Sequence, residues 1–202
     1  MLSFDNKKVI VFDLDYTIVK LTADWHSLRA ALINRYYEVY GEKCEFHSMS
    51  ACLSKIVEKE DWDELDNFFG LIQQYELENI EQTTPILETI FFIEEKEMFG
   101  IHKDTHLAVL SLNTRKTIQR SLAIAGIRDQ IELIVGREDV KSWKPNPEGL
   151  FMIQNYFGVS KNEMIFLGDS DTDIEAGKNA GIEAYYIDEL INLVKKKNSY
   201  RL

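Results

Sequence analysis

The sequence predicts an α/β fold: a parallel sheet flanked by helices, with an inserted all-helical cap. Three observations carry that expectation. Short apolar runs rich in β-branched residues recur along the chain, and helical patterns of crossover length separate the later ones. One block, from residue 21 to residue 84, has helical periodicity and no convincing strand.

The first run, Val9-Ile10-Val11-Phe12, reads as a strand buried on both faces, as strands of parallel sheets are. Leu107 to Leu110, Glu132 to Val135 and Met164 to Leu167 share its character, and a weaker fifth run spans Ala184 to Ile187. Thr114 to Ala125 places Ile118, Leu122 and Ala125 on one helical face and ends at Gly126, a natural helix stop. Pro147 to Phe157 follows Asn146, has proline at the first helical position and ends at Gly158. Asp171 to Ala180 closes at Gly181. Alternation of strand and helix in this way makes a parallel α/β sheet.

The block from Leu21 to Thr84 repeats apolar residues at helical spacing in Trp25, Leu28, Leu32, Tyr36 and Val39, and again in Leu65, Phe68, Phe69, Ile72 and Tyr75. Gly41, the 45–50 stretch and Glu60-Asp61 divide it into three or four helices. The expected division is therefore a core of residues 1–20 and 85–202 and a cap of residues 21–84, with Pro85 marking the return. The aromatics of Leu65 to Tyr75 are expected in the cap's own core.

At 202 residues, 45% hydrophobic and 28% charged, the composition is that of an ordinary globular protein. A formal charge of −11 and a pI near 4.9 argue against a broad nucleic-acid or anionic-membrane surface. They leave room for a small anionic substrate, because a metal and one lysine can make a site locally positive. Cys44 and Cys52 have no paired spacing and no histidine cluster nearby, so two reduced thiols are expected. The first strand begins within ten residues of Met1, leaving no room for a signal peptide, and no apolar stretch approaches spanning length. The expected location is the cytoplasm. Nothing in the sequence reads out an oligomeric state.

The chemistry lies at strand ends. Asp13-Leu14-Asp15-Tyr16-Thr17 follows the first run directly. Parallel sheets bind ligands at the carboxyl ends of their strands. Two carboxylates at that edge are too costly to keep charged and unpaired, so a positive group, a metal ion, is expected between them. Ser111 and Asn113 follow the second run, Lys144 and Pro145 the third, and Gly168-Asp169-Ser170-Asp171-Thr172-Asp173 the fourth. Taken alone, Asn113 reads as the N-cap of the helix after it, and Asp171 as a cap of its own helix.

This ordered set resembles the haloacid dehalogenase-like hydrolase superfamily, in the branch with a helical cap between strands 1 and 2, and is similar to phosphoglycolate phosphatases. The matching motifs are a DxD[GYT]T-type nucleophile loop, a Ser or Thr after the second strand, a lone Lys before Pro, and a GDxxxD loop. They cover residues 8 to 187. The resemblance implies a Rossmann-like core and a Mg²⁺ held by the Asp13 side chain, the Asp15 backbone carbonyl and Asp169. It implies that Asp13 attacks phosphorus to form an aspartyl-phosphate. Asp15 would protonate the leaving oxygen and then deprotonate the attacking water. Ser111 and Lys144, with Asn113 as a further candidate, would hold the phosphoryl oxygens. Asp173 would orient Lys144 or a water, with Thr17 supporting the same ring of groups. Lys20, close to the hinge, is a candidate substrate contact, as are Arg29, Arg35, Lys43, Lys55 and Lys59 in the cap.

Charges of Asp13, Asp15, Asp169 and Asp173 sum to −4; Lys144 and Mg²⁺ leave −1, and a proton on Asp15 leaves zero. Dehalogenases of this superfamily lack an acid/base at the position of Asp15. The resemblance therefore implies a Mg²⁺-dependent phosphatase acting on a small phosphorylated metabolite. A phosphomutase with the same motifs is the alternative, and a non-catalytic binding module the third reading.

Overall fold

The computed structural model describes residues 2–199. In chain order it contains β1 (Val9–Phe12), the short β2 (Val19–Lys20), α1 (Trp25–Tyr40), α2 (Met49–Glu58), α3 (Trp62–Glu78) and β3 (Thr84–Pro85). There follow α4 (Leu87–Glu94), β4 (His106–Leu110), α5 (Arg115–Ile124), β5 (Leu133–Val135) and α6 (Glu148–Phe157). The chain closes with β6 (Met164–Gly168), α7 (Asp171–Ala180), β7 (Glu183–Tyr186) and α8 (Ile187–Ser199).

Five strands form one parallel sheet in the order β5-β4-β1-β6-β7. Successive side chains of β1 enter opposite layers. Val9 and Val11 join a core with α6, α7 and the helices α1–α3, whereas Ile10 and Phe12 join one with α4, α5 and α8. Both faces of the strand are therefore dry, which is why the run is apolar without alternation. The chain passes from β1 to β4 and β5 on one side, then crosses to β6 and β7 on the other. The switch point lies between β1 and β6, where ligands of such sheets bind.

Helices α1–α3 leave and rejoin the sheet through a two-stranded antiparallel ribbon, in which Val19 pairs with Pro85 and Lys20 with Thr84. Each is started by a side-chain cap: Asp24, Ser48 and Asp61 accept from the backbone N–H of Ser27, Ala51 and Glu64. Gly41 ends α1 in the left-handed region at φ 65°, where glycine carries no Cβ penalty. Tyr36, Phe46 and Phe68 pack edge-on or stacked in the centre of these helices, as expected for Phe68, whereas Phe69 packs edge-on against Trp143 in the loop after β5.

The structure corrects the expectation for the cysteines: Cys44 and Cys52 form a disulfide, with Cα atoms 6.1 Å apart. Compartment and chain size argue about frameworks that staple a whole fold. A local bridge needs only two Cα atoms within about 4.4–6.8 Å, and the turn between α1 and α2 brings them there. Helix α6 starts one residue later than expected, at Glu148, whose N–H is accepted by Asn146 Oδ1 at 3.0 Å. Helix α4 is the element the sequence reading passed over, because Leu87-Glu88-Thr89-Ile90-Phe91-Phe92-Ile93 shows no clean polar stripe. Among the described residues, no helix is long and apolar enough to cross a membrane.

Candidate active site

The carboxyl ends of β1, β4 and β6 open into one cavity of about 250 Å³. It is bordered by Asp13 and Asp15, by Ser111 and Asn113, by Lys144 and by Asp169. Asp13 is the first residue beyond β1 and its N–H donates to the Leu167 carbonyl at 2.8 Å, fixing it beside the end of β6. The chain then curls: the N–H groups of Thr17, Ile18 and Val19 converge on the Leu14 carbonyl, and Tyr16 adopts φ 55°. That curl points the Asp15 carboxylate back at the backbone, where it accepts from Leu21 N at 2.9 Å and Tyr16 N at 3.1 Å.

Lys144 is the electrostatic centre. Buried, it donates to Asp13 Oδ1 at 2.7 Å and to Asp173 Oδ1 at 2.5 Å. Asp173 is fixed in turn by the capping box of α7, its other oxygen accepting from Ser170 N at 3.1 Å and Ser170 Oγ at 2.5 Å. Burial alone would lower the Lys144 pKa, but the two carboxylates outweigh it and raise the ammonium above its usual range. Burial pushes the Asp13 carboxyl up, against the opposing pull of Lys144. Burial likewise raises Asp15, to about 6, with the two backbone hydrogen bonds holding it back. Asp169 is raised by burial and by neighbouring Asp173.

Asp13, Asp169 and Asp173 each place a carboxylate oxygen within 4.8 Å of the others. An all-oxygen donor set of this kind suits a hard divalent cation such as Mg²⁺. Both oxygens of Asp173 are engaged, one by Lys144 and the other by Ser170, whereas Asp13 meets Lys144 through Oδ1 alone, so Asp13 and Asp169 have the freer oxygens.

Other residues fall differently. Asn113 borders the cavity but is not the cap of α5: Thr114 occupies that position. The Asn113 side chain is turned instead to Ser111 Oγ, which donates to it at 2.8 Å, and to Glu76, to which it donates at 3.0 Å. Asp171 is not a cap either, since Ser170 takes that place; Asp171 accepts from the Tyr186 hydroxyl at 2.6 Å. Thr17 is fully buried and its carbonyl accepts from Thr89 Oγ1 at 2.8 Å, which ties the loop after β1 to α4. Lys20 is exposed on the β2–β3 ribbon and does not border the cavity. Two of the cap cations are engaged elsewhere, Arg35 with Glu64 and Lys59 with Glu42.

Two residues that the sequence reading passed over stand close to the site. Glu76, on α3, is buried and accepts from Asn113 Nδ2, from Thr114 N and Oγ1, and from Thr117 Oγ1, all within 3.1 Å. It docks the last helix of the insertion onto the start of α5, where a carboxylate also meets the positive end of the helix dipole. Arg137, just beyond β5, is buried and borders the same cavity.

Residues 10–187 match the haloacid dehalogenase-like hydrolase family. The chain belongs to that family. Among curated relatives, it is 26% identical over 179 residues to the pyrophosphatase PpaX of Halalkalibacterium halodurans, covering 86% of this chain and 80% of the relative. It is 28% identical over 180 residues to the phosphoglycolate phosphatase of Aquifex aeolicus, covering 86% and 81%. A crystal structure of a predicted phosphoglycolate phosphatase from Haemophilus somnus 129PT superposes with a TM-score of 0.61 at 21% identity, covering 96% of this chain and 93% of that one. The family resemblance drawn from the four motifs is thus established, together with the parallel α/β architecture.

Proposed function

We propose that this protein is a Mg²⁺-dependent phosphatase that hydrolyses a small phosphorylated metabolite through a phosphoryl group carried on Asp13. The observation that carries the reading is the second carboxylate. Asp15 borders the same cavity as Asp13, and its raised pKa of about 6 lets it hold and give up a proton near neutrality. A reaction that expels halide needs no such group; one that expels an alkoxide or a phosphate does. The names of the relatives, a pyrophosphatase and a phosphoglycolate phosphatase, support phosphate chemistry.

In the first half-reaction Asp13 attacks phosphorus, the bond to the leaving oxygen breaks, and Asp15 gives that oxygen its proton. In the second, Asp15 takes a proton from water as the water attacks the same phosphorus; phosphate leaves and the Asp13 carboxylate is regenerated. Lys144, with Asp173 behind it, holds positive charge beside Asp13, and Ser111 borders the cavity, where its hydroxyl would turn from Asn113 to the phosphoryl oxygens. Asp13, Asp169 and the Asp15 carbonyl would hold Mg²⁺, which supplies charge neutralisation and orients the phosphoryl group. Helices α1 and α2 border the cavity through Trp25 and Met49, which favours small substrates over phosphoproteins.

The test is a panel of small phosphate esters and anhydrides, scored for released phosphate with Mg²⁺ and with excess chelator. Release that needs Mg²⁺ and disappears in Asp13→Asn is expected. Undiminished turnover in chelator would sink the mechanism, and isomerised sugar phosphate without free phosphate would favour the mutase.

A further inference from the structure

Arg137 is only 3% exposed, yet its guanidinium is poorly used. Its backbone is committed: the N–H donates to the Asn113 carbonyl at 3.0 Å, and its carbonyl accepts from the Trp143 indole at 2.9 Å. The side chain is committed in part, to an ion pair with buried Glu76 that uses only Nη2. Nη2 lies 3.9 Å from Glu76, beyond hydrogen-bond distance, and Nε and Nη1 have no partner among the described residues.

Glu76 does not account for this arginine. Its two oxygens already accept four hydrogen bonds, from Asn113, Thr114 and Thr117. Lys144 does not share the work, because it is tied to Asp13 and Asp173. A buried cation with idle donors is costly, and the partner that repairs the deficit is an anion. A guanidinium fork matches a carboxylate or a phosphate group with two parallel hydrogen bonds. Arg137 and Lys144 border one small cavity, so a small molecule bound there would lie near two separate cations.

We propose that Arg137 is a specificity-determining residue that holds a second anionic group of the substrate, a carboxylate or another phosphoryl group, beside the phosphoryl group at Asp13. The inference rests on the phosphatase reading and narrows its substrate class to small molecules with two anionic groups.

Two arms test it. The first compares kcat/KM for 2-phosphoglycolate and for pyrophosphate with kcat/KM for p-nitrophenyl phosphate and ethyl phosphate, in the wild type, Arg137→Met and Arg137→Lys. The wild type is expected to favour the doubly anionic substrates. Arg137→Met should cut that preference at least ten-fold, mainly through KM, and Arg137→Lys should restore part of it. Preference for 2-phosphoglycolate or for pyrophosphate identifies the second group as carboxylate or phosphoryl. An unaltered preference ratio in Arg137→Met overturns the proposal, as does a wild type that favours the simple esters.

The second arm needs no turnover and no variant that must fold. Phosphonoacetate should raise the Tm of the Mg²⁺-loaded wild type more than methylphosphonate does at equal concentration. Equal shifts overturn the proposal. A panel on which no ester is hydrolysed would defeat the phosphatase reading, and the two phosphonates would still decide whether the cavity takes a second anionic group.

Discussion

A Cβ atom placed on Gly168 would lie 2.4 Å from Cγ of Asp173. The glycine that ends β6 is thus set by the carboxylate five residues later, which passes directly over its backbone on the way to Lys144. No flexible tip is available to move aside, since Asp173 is held by Ser170 on one oxygen and by Lys144 on the other. Gly168→Ala is expected to displace Asp173, lower stability by about 1–3 kcal/mol as overpacking does, and reduce phosphate release at least ten-fold. Thermal unfolding and turnover of the one variant check both; wild-type values for each would contradict the packing argument.

Lys144→Met removes the only side-chain cation bonded to Asp13 and Asp173 among the described residues. Two buried carboxylates would then face each other without compensation. Breaking a buried pair from one side costs about 3–5 kcal/mol, and loss of a charge-stabilising donor costs about 10²–10³ in kcat. Urea denaturation and a turnover assay measure the two separately. Adding Asp173→Asn to Lys144→Met should recover stability without recovering turnover.

Glu76→Ala strips the acceptor from four hydrogen bonds that join α3 to the start of α5. Each buried donor left without a partner costs about 1–3 kcal/mol. A drop of several kcal/mol is expected, with hydrogen exchange rising first at Thr114 and in the first turn of α5. Exchange that rises uniformly over the molecule would mean that the contact is not local in effect.

The pKa of Asp15 yields a prediction with a definite sign. Its folded value, about 6, lies above the ordinary 3.8 because of burial, so the folded form binds the proton more tightly. That contribution to stability is complete below about pH 4 and is lost as pH rises through about 6. In metal-free protein, Asp15→Asn, which cannot ionise, should therefore be more stable than wild type above pH 7. The advantage, on the order of a few degrees in Tm, should vanish toward pH 4. Paired melting curves in chelator across that range test this, and a difference independent of pH would refute it.

What could be read from sequence was what is local. Asp13, Ser111 and Asp169 each directly follow a strand and Lys144 stands in the loop after β5, so strand pattern and motif spacing together point to one sheet edge. Glu76 carries no such mark. In Gln73-Gln74-Tyr75-Glu76-Leu77-Glu78 it looks like part of a solvated helix face, and only docking against α5 buries it. Arg137 is hidden for the same reason in Gly136-Arg137-Glu138-Asp139, where a loop of charges looks exposed. Asn113 misled because capping propensity cannot register that a partner from α3 claims the same side chain. Lys20, near the hinge in sequence, stands on the β2–β3 ribbon and does not border the cavity.

The β2–β3 ribbon has a further consequence. Since Val19 faces Pro85 and Lys20 faces Thr84, the chain departs for α1–α3 and comes back through a doorway one strand-spacing wide. The cost of closing a longer or shorter loop there grows only with the logarithm of its length. A different roof could be hung from the same doorposts with the sheet register untouched. It would have to bring its own latch, an acceptor in the place of Glu76 for the donors that Thr114 and Thr117 hold out beneath it.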